Sequence, residues 1–108
     1  MAKKRSIRLD IKGVQYEFIL QSPQTYRRNH GSDSDAVTYT KERIVYFRTD
    51  AFTPNTVKHE LMHCFYAESH TGSSDLKADQ VEEVFCELVA EMYFQIGDIC
   101  DKIITALN

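Results

Sequence analysis

Long hydrophobic runs are missing from this sequence. No apolar stretch approaches the roughly 18 residues that a membrane-spanning helix needs. The charged segment Lys3-Lys4-Arg5 is followed by alternating polar and apolar residues rather than by the apolar core of a signal peptide. We therefore expect a cytoplasmic protein without a membrane partner. The 108 residues also contain no repeat, linker or low-complexity segment, which predicts one domain spanning residues 1–108.

An excess of basic residues and a disulfide framework are also missing. The 13 basic and 16 acidic residues leave a formal charge of -3, which does not favour nucleic acid as a partner. The cysteines are odd in number and form no CxxC pair, so disulfides are not expected. We expect all three, Cys64, Cys86 and Cys100, to be small buried apolar residues.

The first half of the chain has the pattern of β-strands. Apolar and polar residues alternate from Ile7 to Leu20 on both sides of Lys12-Gly13, which is typical of an antiparallel hairpin. The segment from Gln21 to Asp35 is rich in turn residues, and we predict a loop there with a helical turn around Gln24 to Asn29. Val37 to Tyr39 and Ile44 to Arg48 are predicted as two further strands.

The second half has the pattern of helices. Thr53 can cap a helix, and Pro54 stands at the first helical position, where no N–H group is needed. This helix is predicted from about Pro54 to Glu68, and a loop is predicted at Thr71 to Asp75. One long helix is then predicted from about Lys77 to Leu107. Together these elements predict an α+β fold, with a small mainly antiparallel sheet packed on two helices.

The first predicted helix contains His59-Glu60-Leu61-Met62-His63, which matches the pattern HExxH. At about 100° per residue, histidines four positions apart lie on one helix face, where two imidazoles can bind one zinc ion. Glu60 lies beside them, and a carboxylate there can act as general base on a zinc-bound water. Among chains of this length, on the order of a few per thousand would contain the pattern by chance. The assignment of a metal site therefore needs support from the surrounding sequence.

A third protein ligand is needed, because catalytic zinc sites generally use three and leave the fourth position to water. The metzincin pattern HExxHxxGxxH does not fit, since Tyr66 and Ser69 stand where Gly and His are required. Glu82 and Glu83 on the second helix remain as candidates. On a helical wheel Glu82 lies on the flank of the apolar stripe and Glu83 points away from it, so we favour Glu82 and keep Glu83 as the alternative. The stripe consists of Val81, Phe85, Leu88, Met92, Ile96, Ile99 and Ile103.

With Glu82 after 18 intervening residues, the HELMH sequence resembles the gluzincin clan of zinc metallopeptidases. The chain is most similar to small proteins of phages and mobile elements, which look like reduced forms of the ImmA/IrrE-type metallopeptidases. The similarity covers about Ile44 to Tyr93. The chain departs from the ImmA/IrrE-type pattern at Met62, where that family has Gly, and at Phe85 and Cys86, where it has Ala and Asn.

The resemblance implies a minimal zincin-like domain with His59, His63 and Glu82 as zinc ligands and Glu60 as general base. It also implies that the strand Ile44 to Arg48 is the sheet edge along which a peptide or protein substrate binds in extended form. Residues that could stabilise the oxyanion are Tyr46, Tyr66, His70 and Tyr93, which sequence spacing does not rank.

The expected function is therefore zinc-dependent hydrolysis of peptide bonds, with narrow specificity because so short a chain cannot build deep subsites. The alternative is a zinc-binding protein-interaction module without significant turnover, although a purely structural zinc site has no need of Glu60. The oligomeric state stays open. Apolar residues near the C-terminus that could pair with a second copy are Ile99, Ile103, Ile104 and Leu107.

Overall fold

The computed structural model describes residues 5–69 and 78–107, and it shows an α+β fold with a four-stranded sheet and four helices in these ranges. The strands are β1 (Ser6–Ile11), β2 (Val14–Gln21), β3 (Ala36–Tyr39) and β4 (Ile44–Arg48). The helices are α1 (Pro23–His30), α2 (Pro54–Ser69), α3 (Ala78–Met92) and α4 (Gln95–Leu107). The predicted loop from Thr71 to Asp75 and the predicted helix start at Lys77 lie outside the described residues.

The sheet is mixed, with the strand order β1-β2-β4-β3. The β1–β2 pair is antiparallel as predicted, the β3–β4 pair is also antiparallel, and β2 and β4 are parallel. A parallel pair needs a crossover, and the segment that contains α1 and β3 provides it. β4 pairs with β2 on one side and with β3 on the other, so β4 is an inner strand of the sheet. The expectation that Ile44 to Arg48 forms the free sheet edge is therefore wrong, and β3 is the edge on that side.

The hairpin between β1 and β2 turns at Lys12-Gly13, as predicted. Both residues have positive φ, 52° for Lys12 and 82° for Gly13, which is the backbone that a two-residue turn between twisted strands requires. The Nζ of Lys12 donates to Ser69 Oγ at 3.0 Å and to Glu91 Oε2 at 2.8 Å. The turn is thereby joined to the end of α2 and to α3.

The two faces of the sheet are covered by different helices. Strand residues that alternate onto one face pack with α2 and α4 and form the core. The opposite face carries α1, which contacts β2 and β4 and buries Tyr26 completely. The fully buried large side chains of the core are Ile11, Tyr16, Phe18, Val45, Phe47, Val57, Leu61, Phe65 and Ile103.

The single long helix predicted from Lys77 to Leu107 is two helices, because the chain turns at Tyr93-Phe94 between α3 and α4. The turn lets α4 pack against β1 and α2. The residues near the C-terminus that were considered for pairing with a second copy face this core. Ile103 and Leu107 are buried, and Ile99 and Ile104 are partly buried against it.

The predicted apolar stripe is only partly buried along α3. Leu88 and Met92 are buried, whereas Val81 is 44% exposed and Phe85 is 57% exposed. Only the second half of α3 therefore packs on the core. Helical periodicity shows which side of α3 is apolar, but it does not show that the first half of the helix extends beyond the core.

Two of the three cysteines follow the prediction. Cys64 and Cys100 are buried, Cys86 is exposed on α3, and all three are free thiols. The expected burial of Cys86 is wrong for the same reason as that of Phe85. Within the described ranges, no helix is both long enough and apolar enough to cross a membrane.

A buried carboxylate joins α2 to the sheet near the C-terminal end of the helix. The Glu68 side chain is 7% exposed, and its Oε2 accepts a hydrogen bond from Tyr16 Oη at 2.6 Å. Arg43 donates to the same carboxylate from Nε at 3.3 Å and from Nη2 at 3.4 Å. Burial by itself would raise the pKa of Glu68, but the hydrogen bonds from Tyr16 and Arg43 outweigh it and hold the pKa below its usual value.

Replacing Tyr16 by Phe should lower the free energy of unfolding at pH 7 by about 1–3 kcal/mol, because Glu68 loses a donor while staying buried. The stability that Glu68 contributes is present above its unfolded pKa of about 4.3 and is lost as the pH falls through its lower folded pKa. The difference between wild type and Tyr16→Phe should therefore shrink in acid. Urea unfolding at pH 7 and at about pH 3 measures both values.

The matched control is Tyr93→Phe, since Tyr93 is 70% exposed and its loss of a hydroxyl should cost less than about 0.5 kcal/mol. An equal loss for Tyr16→Phe at both pH values would contradict the hydrogen-bond explanation and indicate a packing defect.

Candidate metal centre

The start of α2 is held as the sequence predicts. The amide of Thr56 donates to Thr53 Oγ1 at 3.2 Å, which caps the helix, and Pro54 is its first residue. The helix continues to Ser69, so HELMH lies in its middle. A stretch within a well-capped helix has regular geometry, and His59 and His63 therefore lie one turn apart on the same face.

The two histidines and Glu60 differ in their exposure. His59 and His63 are exposed, whereas Glu60 is 6% exposed and lies on the side of α2 that faces the sheet. Leu61 and Cys64 are fully buried and anchor α2 to the core. The motif thus presents two accessible imidazoles next to a carboxylate that is largely shielded from solvent.

The three side chains are close enough to bind one metal ion. One potential ligand atom from each of His59, Glu60 and His63 lies within 4.8 Å of the others. The imidazole centroids of His59 and His63 are 5.1 Å apart, and His59 Nε2 is 3.8 Å from Glu60 Oε2. Imidazole nitrogens are common metal ligands, and exposed rings can rotate to converge on an ion. The donor set therefore fits a divalent metal.

Thr38 on β3 holds the Glu60 carboxylate. Its Oγ1 donates to Glu60 Oε1 at 2.8 Å, so the buried carboxylate has a protein donor on one oxygen. The other oxygen, Oε2, is the one nearer to His59. Sequence reasoning did not identify Thr38. The only feature of the sequence that pointed to Thr38 was a polar side chain on the inward face of a short strand. Which residue that side chain contacts depends on how β3 packs against α2.

A polar cleft lies between the start of α2 and the beginning of β3. Its volume is about 300 Å³, and Tyr26 supports its wall from α1 by a 2.8 Å contact between its Oη and Ser34 Oγ. We call His59, Glu60 and His63 the metal group. The cleft opens beside this group, with room for a few atoms of a ligand. The lining residues are Ser34, Asp35, Ala36, Asn55, Thr56, His59 and Glu60.

No strand within residues 5–69 and 78–107 pairs with the outer edge of β3, which is called the free edge here and lies next to this cleft. The amide of Arg48 donates to Asp35 O at 3.1 Å, and Ala36 pairs with Phe47 in the antiparallel register. Hydrogen-bonded and non-hydrogen-bonded pairs alternate in such a ladder. The N–H and C=O groups of Ala36 and Thr38 therefore point away from β4, toward the free edge.

The structure does not bring Glu82 or Glu83 into the metal group. Both side chains are exposed on α3, where they line a separate surface depression with Gln80, Val84, Cys86 and Glu87. Since both are exposed, the burial difference predicted from the helical wheel does not separate them. His59, Glu60 and His63 are thus brought together, and the expected third ligand is not.

The tyrosines considered for the oxyanion lie in different places. Tyr46 is on the face of the sheet that carries α1, because its neighbours Val45 and Phe47 face the core. Tyr66 is 45% exposed on α2 and Tyr93 is 70% exposed after α3. Tyr46 is therefore separated from the metal group by the sheet. His70 lies outside the described residues.

Cys64 follows His63 directly, but its thiol is not suited to binding metal. It is completely buried, and this burial raises its pKa well above the usual range. Metal binding requires the thiolate. Cys64 therefore belongs to the core beneath the site.

Replacing Thr38 by Val should lower the stability of the metal-free protein by about 1–3 kcal/mol, because it leaves the buried Glu60 carboxylate without its donor. Thr38→Ser keeps the hydroxyl and should cost less. Urea unfolding in the presence of a chelator measures both variants. In a Glu60→Ala background the Thr38→Val substitution should be nearly neutral, and an equal cost in both backgrounds would show that the hydrogen bond is not responsible.

Comparisons with protein-family models, with curated proteins and with solved structures gave no match to this chain. Its function therefore has to be inferred from the residues of the site themselves. Those residues are the two exposed histidines, the shielded Glu60 and the free edge of β3 beside them.

Proposed function

We propose that this chain is a zinc metallopeptidase of the gluzincin type, acting in the cytoplasm on a peptide or protein substrate. The observation that carries the proposal is the position of Glu60, which is buried, held by Thr38, and adjacent to two exposed histidines at the mouth of a cleft. Burying a carboxylate costs free energy, so a buried carboxylate is not expected beside histidines that only serve as solvent-exposed surface residues.

In this proposal His59 and His63 would hold zinc together with a glutamate of α3. The family resemblance makes Glu82 the first candidate and Glu83 the second, and either one would have to move toward the histidines from its exposed position on α3. When bound, zinc supplies Lewis acidity for activating water and polarising a carbonyl. Glu60 accepts the proton of the attacking water and later delivers it to the leaving amine. Thr38 orients Glu60 by holding Oε1, so that Oε2 remains directed toward His59.

The free edge of β3 is the proposed site for the substrate backbone. The outward N–H and C=O groups of Ala36 and Thr38 can pair with an extended peptide, which would become the fifth strand of the sheet. Such a strand would run along the cleft beside His59 and Glu60. In this assignment β3 takes the role that the family resemblance gave to the strand at Ile44 to Arg48.

A second function is a zinc-binding interaction module without significant turnover. The observation that favours it is the exposed apolar side of α3, where Val81, Phe85 and Val89 are 44%, 57% and 38% exposed. Apolar side chains in this pattern are typical of a helix face that contacts a partner. Variants at Glu60 distinguish the two functions. A peptidase should lose peptide cleavage without this general base, whereas an interaction module needs only the metal ligands and should keep its function.

Metal content should identify the ligands. Purified wild-type protein should contain one equivalent of zinc by elemental analysis, and His63→Ala should lose it because two imidazoles are needed to retain the ion. Of Glu82→Ala and Glu83→Ala, we expect only the first to lose zinc. Loss in Glu83→Ala alone would transfer the ligand role to Glu83. Wild-type protein without zinc, even after refolding with the metal, would contradict the proposed site.

Replacing Glu60 by Gln should leave zinc content and folding nearly unchanged and should reduce peptide cleavage by about 10²–10⁴-fold, since the general base is removed. The assay is mass spectrometry of a proteome-derived peptide library after incubation with the zinc-loaded protein. Narrow specificity predicts cleavage of few peptides. The matched control is Glu87→Gln, an exposed α3 carboxylate. Equal cleavage by Glu60→Gln and wild type would contradict catalysis by this residue.

A further inference from the structure

Three aromatic rings form a cluster on the face of the sheet that carries α1. We call His30, Tyr39 and Tyr46 the aromatic cluster. The ring centroids of His30 and Tyr46 are 4.5 Å apart, those of His30 and Tyr39 are 5.6 Å apart, and those of Tyr39 and Tyr46 are 5.8 Å apart. The fully buried ring of Tyr26 supports the cluster from below, 4.7 Å from His30. These contacts fix the orientation of the rings.

Two hydrogen bonds fix the orientation of the His30 ring. Its Nε2 lies 2.9 Å from Gln21 Oε1, which can only accept, and its Nδ1 lies 2.8 Å from Tyr39 Oη. In the neutral ring, a proton on Nε2 would be donated to Gln21 Oε1, and Tyr39 Oη would donate to Nδ1. Burial also lowers the pKa of His30. The aromatic cluster thus carries no positive charge at neutral pH and would not repel a cation.

A depression of about 430 Å³ opens over the aromatic cluster. Glu42 is the only one of its lining residues with a carboxylate, and this exposed side chain makes no hydrogen bond or ion pair with any residue in the described ranges. Arg43, its neighbour in sequence, directs its guanidinium to Glu68 instead. The depression is lined by Asn29, His30, Tyr39, Glu42, Ile44 and Tyr46.

Aromatic rings beside an unpaired carboxylate form an environment suited to an organic cation. A cation within about 6 Å of a ring centroid is attracted by the negative face of the ring, and tyrosine is among the better rings for this contact. Glu42 adds an opposite charge at the same depression. A neutral apolar group would be stabilised by contact with the rings alone. An ammonium or a guanidinium would also be attracted by the negative charge of Glu42, so the depression favours a cation.

The depression lies next to the edge proposed for the substrate. Thr38 and Tyr39 are consecutive on β3, so their side chains point to opposite faces of the sheet. In a peptide added to this edge, the residue opposite Thr38 would direct its side chain to the α2 face, where Glu60 lies. The adjoining residue, opposite Tyr39, would direct its side chain to the α1 face, over the aromatic cluster.

We propose that the depression lined by Tyr39, Tyr46 and Glu42 binds the basic side chain of a lysine or arginine in a peptide that lies along β3. That basic residue is the immediate neighbour of the residue facing Glu60. The site is thus a specificity determinant on the opposite face of the sheet from the metal group. Its place in the reaction rests on the proposed function, whereas binding of the cation does not require metal.

The first experiment is an NMR titration of ¹⁵N-labelled, metal-free protein in chelator. The ligands are N-acetyl-lysine methylamide, N-acetyl-arginine methylamide and the uncharged isostere N-acetyl-norleucine methylamide. The two basic ligands should shift the amide resonances of Tyr39, Glu42 and Tyr46 with saturation in the millimolar range, and the norleucine ligand should bind several-fold more weakly. Glu42→Gln should weaken lysine binding about three- to fivefold, as expected for loss of an exposed charge pair.

The matched control is Glu87→Gln, which removes an exposed carboxylate from α3 and should leave lysine binding unchanged. Glu42 is exposed, so its replacement by Gln should not affect folding. Equal binding of norleucine and lysine would overturn the proposal, because the depression would then be an apolar groove without selectivity for charge. Shifts confined to other parts of the chain, or an unchanged affinity in Glu42→Gln, would overturn it as well.

A second experiment uses the zinc-loaded protein and the peptide library. Lysine or arginine should be enriched beside the cleaved bond for wild type, and this enrichment should fall in Glu42→Gln. Cleavage without any basic preference in wild type would overturn the proposal while leaving peptidase activity established. If no peptide is cleaved, the proposed function fails, and the titration of the metal-free protein still decides whether the cation site exists.

Discussion

The Glu60 carboxylate is buried between a helix and a sheet edge, where it requires a hydrogen-bond donor in place of the water it has lost. Thr38 meets this requirement, and in doing so it sets the position of β3 relative to α2. The cleft exists because these two elements meet there. One 2.8 Å contact between residues that are far apart in sequence therefore joins the proposed general base on α2 to the strand whose outer edge lies beside it.

The Glu68 carboxylate holds the C-terminal end of α2. Glu68 is held by Tyr16 of β2 and by Arg43 from the turn before β4, while Lys12 reaches Ser69 from the β1–β2 turn. The Thr38 contact lies within the motif, at Glu60, and the contacts of Glu68 and Ser69 follow the motif toward the C-terminal end of the helix. A helix held to the sheet at these points keeps His59 and His63 in one place, which is the preorganisation that a metal centre needs.

The edge strand β3 connects the two sites inferred for this protein. Its alternating side chains divide between the faces of the sheet, with Thr38 toward Glu60 and Tyr39 toward the aromatic cluster. One bound peptide strand would therefore reach both faces with adjacent residues. In this arrangement the groups proposed for hydrolysis and the proposed site for a basic side chain lie on opposite faces of the sheet and are connected through the backbone of the bound peptide.

Local patterns in the sequence determined the strands, the turn at Lys12-Gly13, the capped helix and the spacing of its two histidines, because each depends on residues close together in the chain. The tertiary structure alone decided that β2 and β4 are parallel, that β3 covers β4, and that Thr38 meets Glu60. It also decided that the first half of α3 extends beyond the core, which leaves Glu82 exposed. Helical periodicity shows which side of a helix is apolar, but whether another element covers that side depends on where the chain turns, as it does at Tyr93-Phe94.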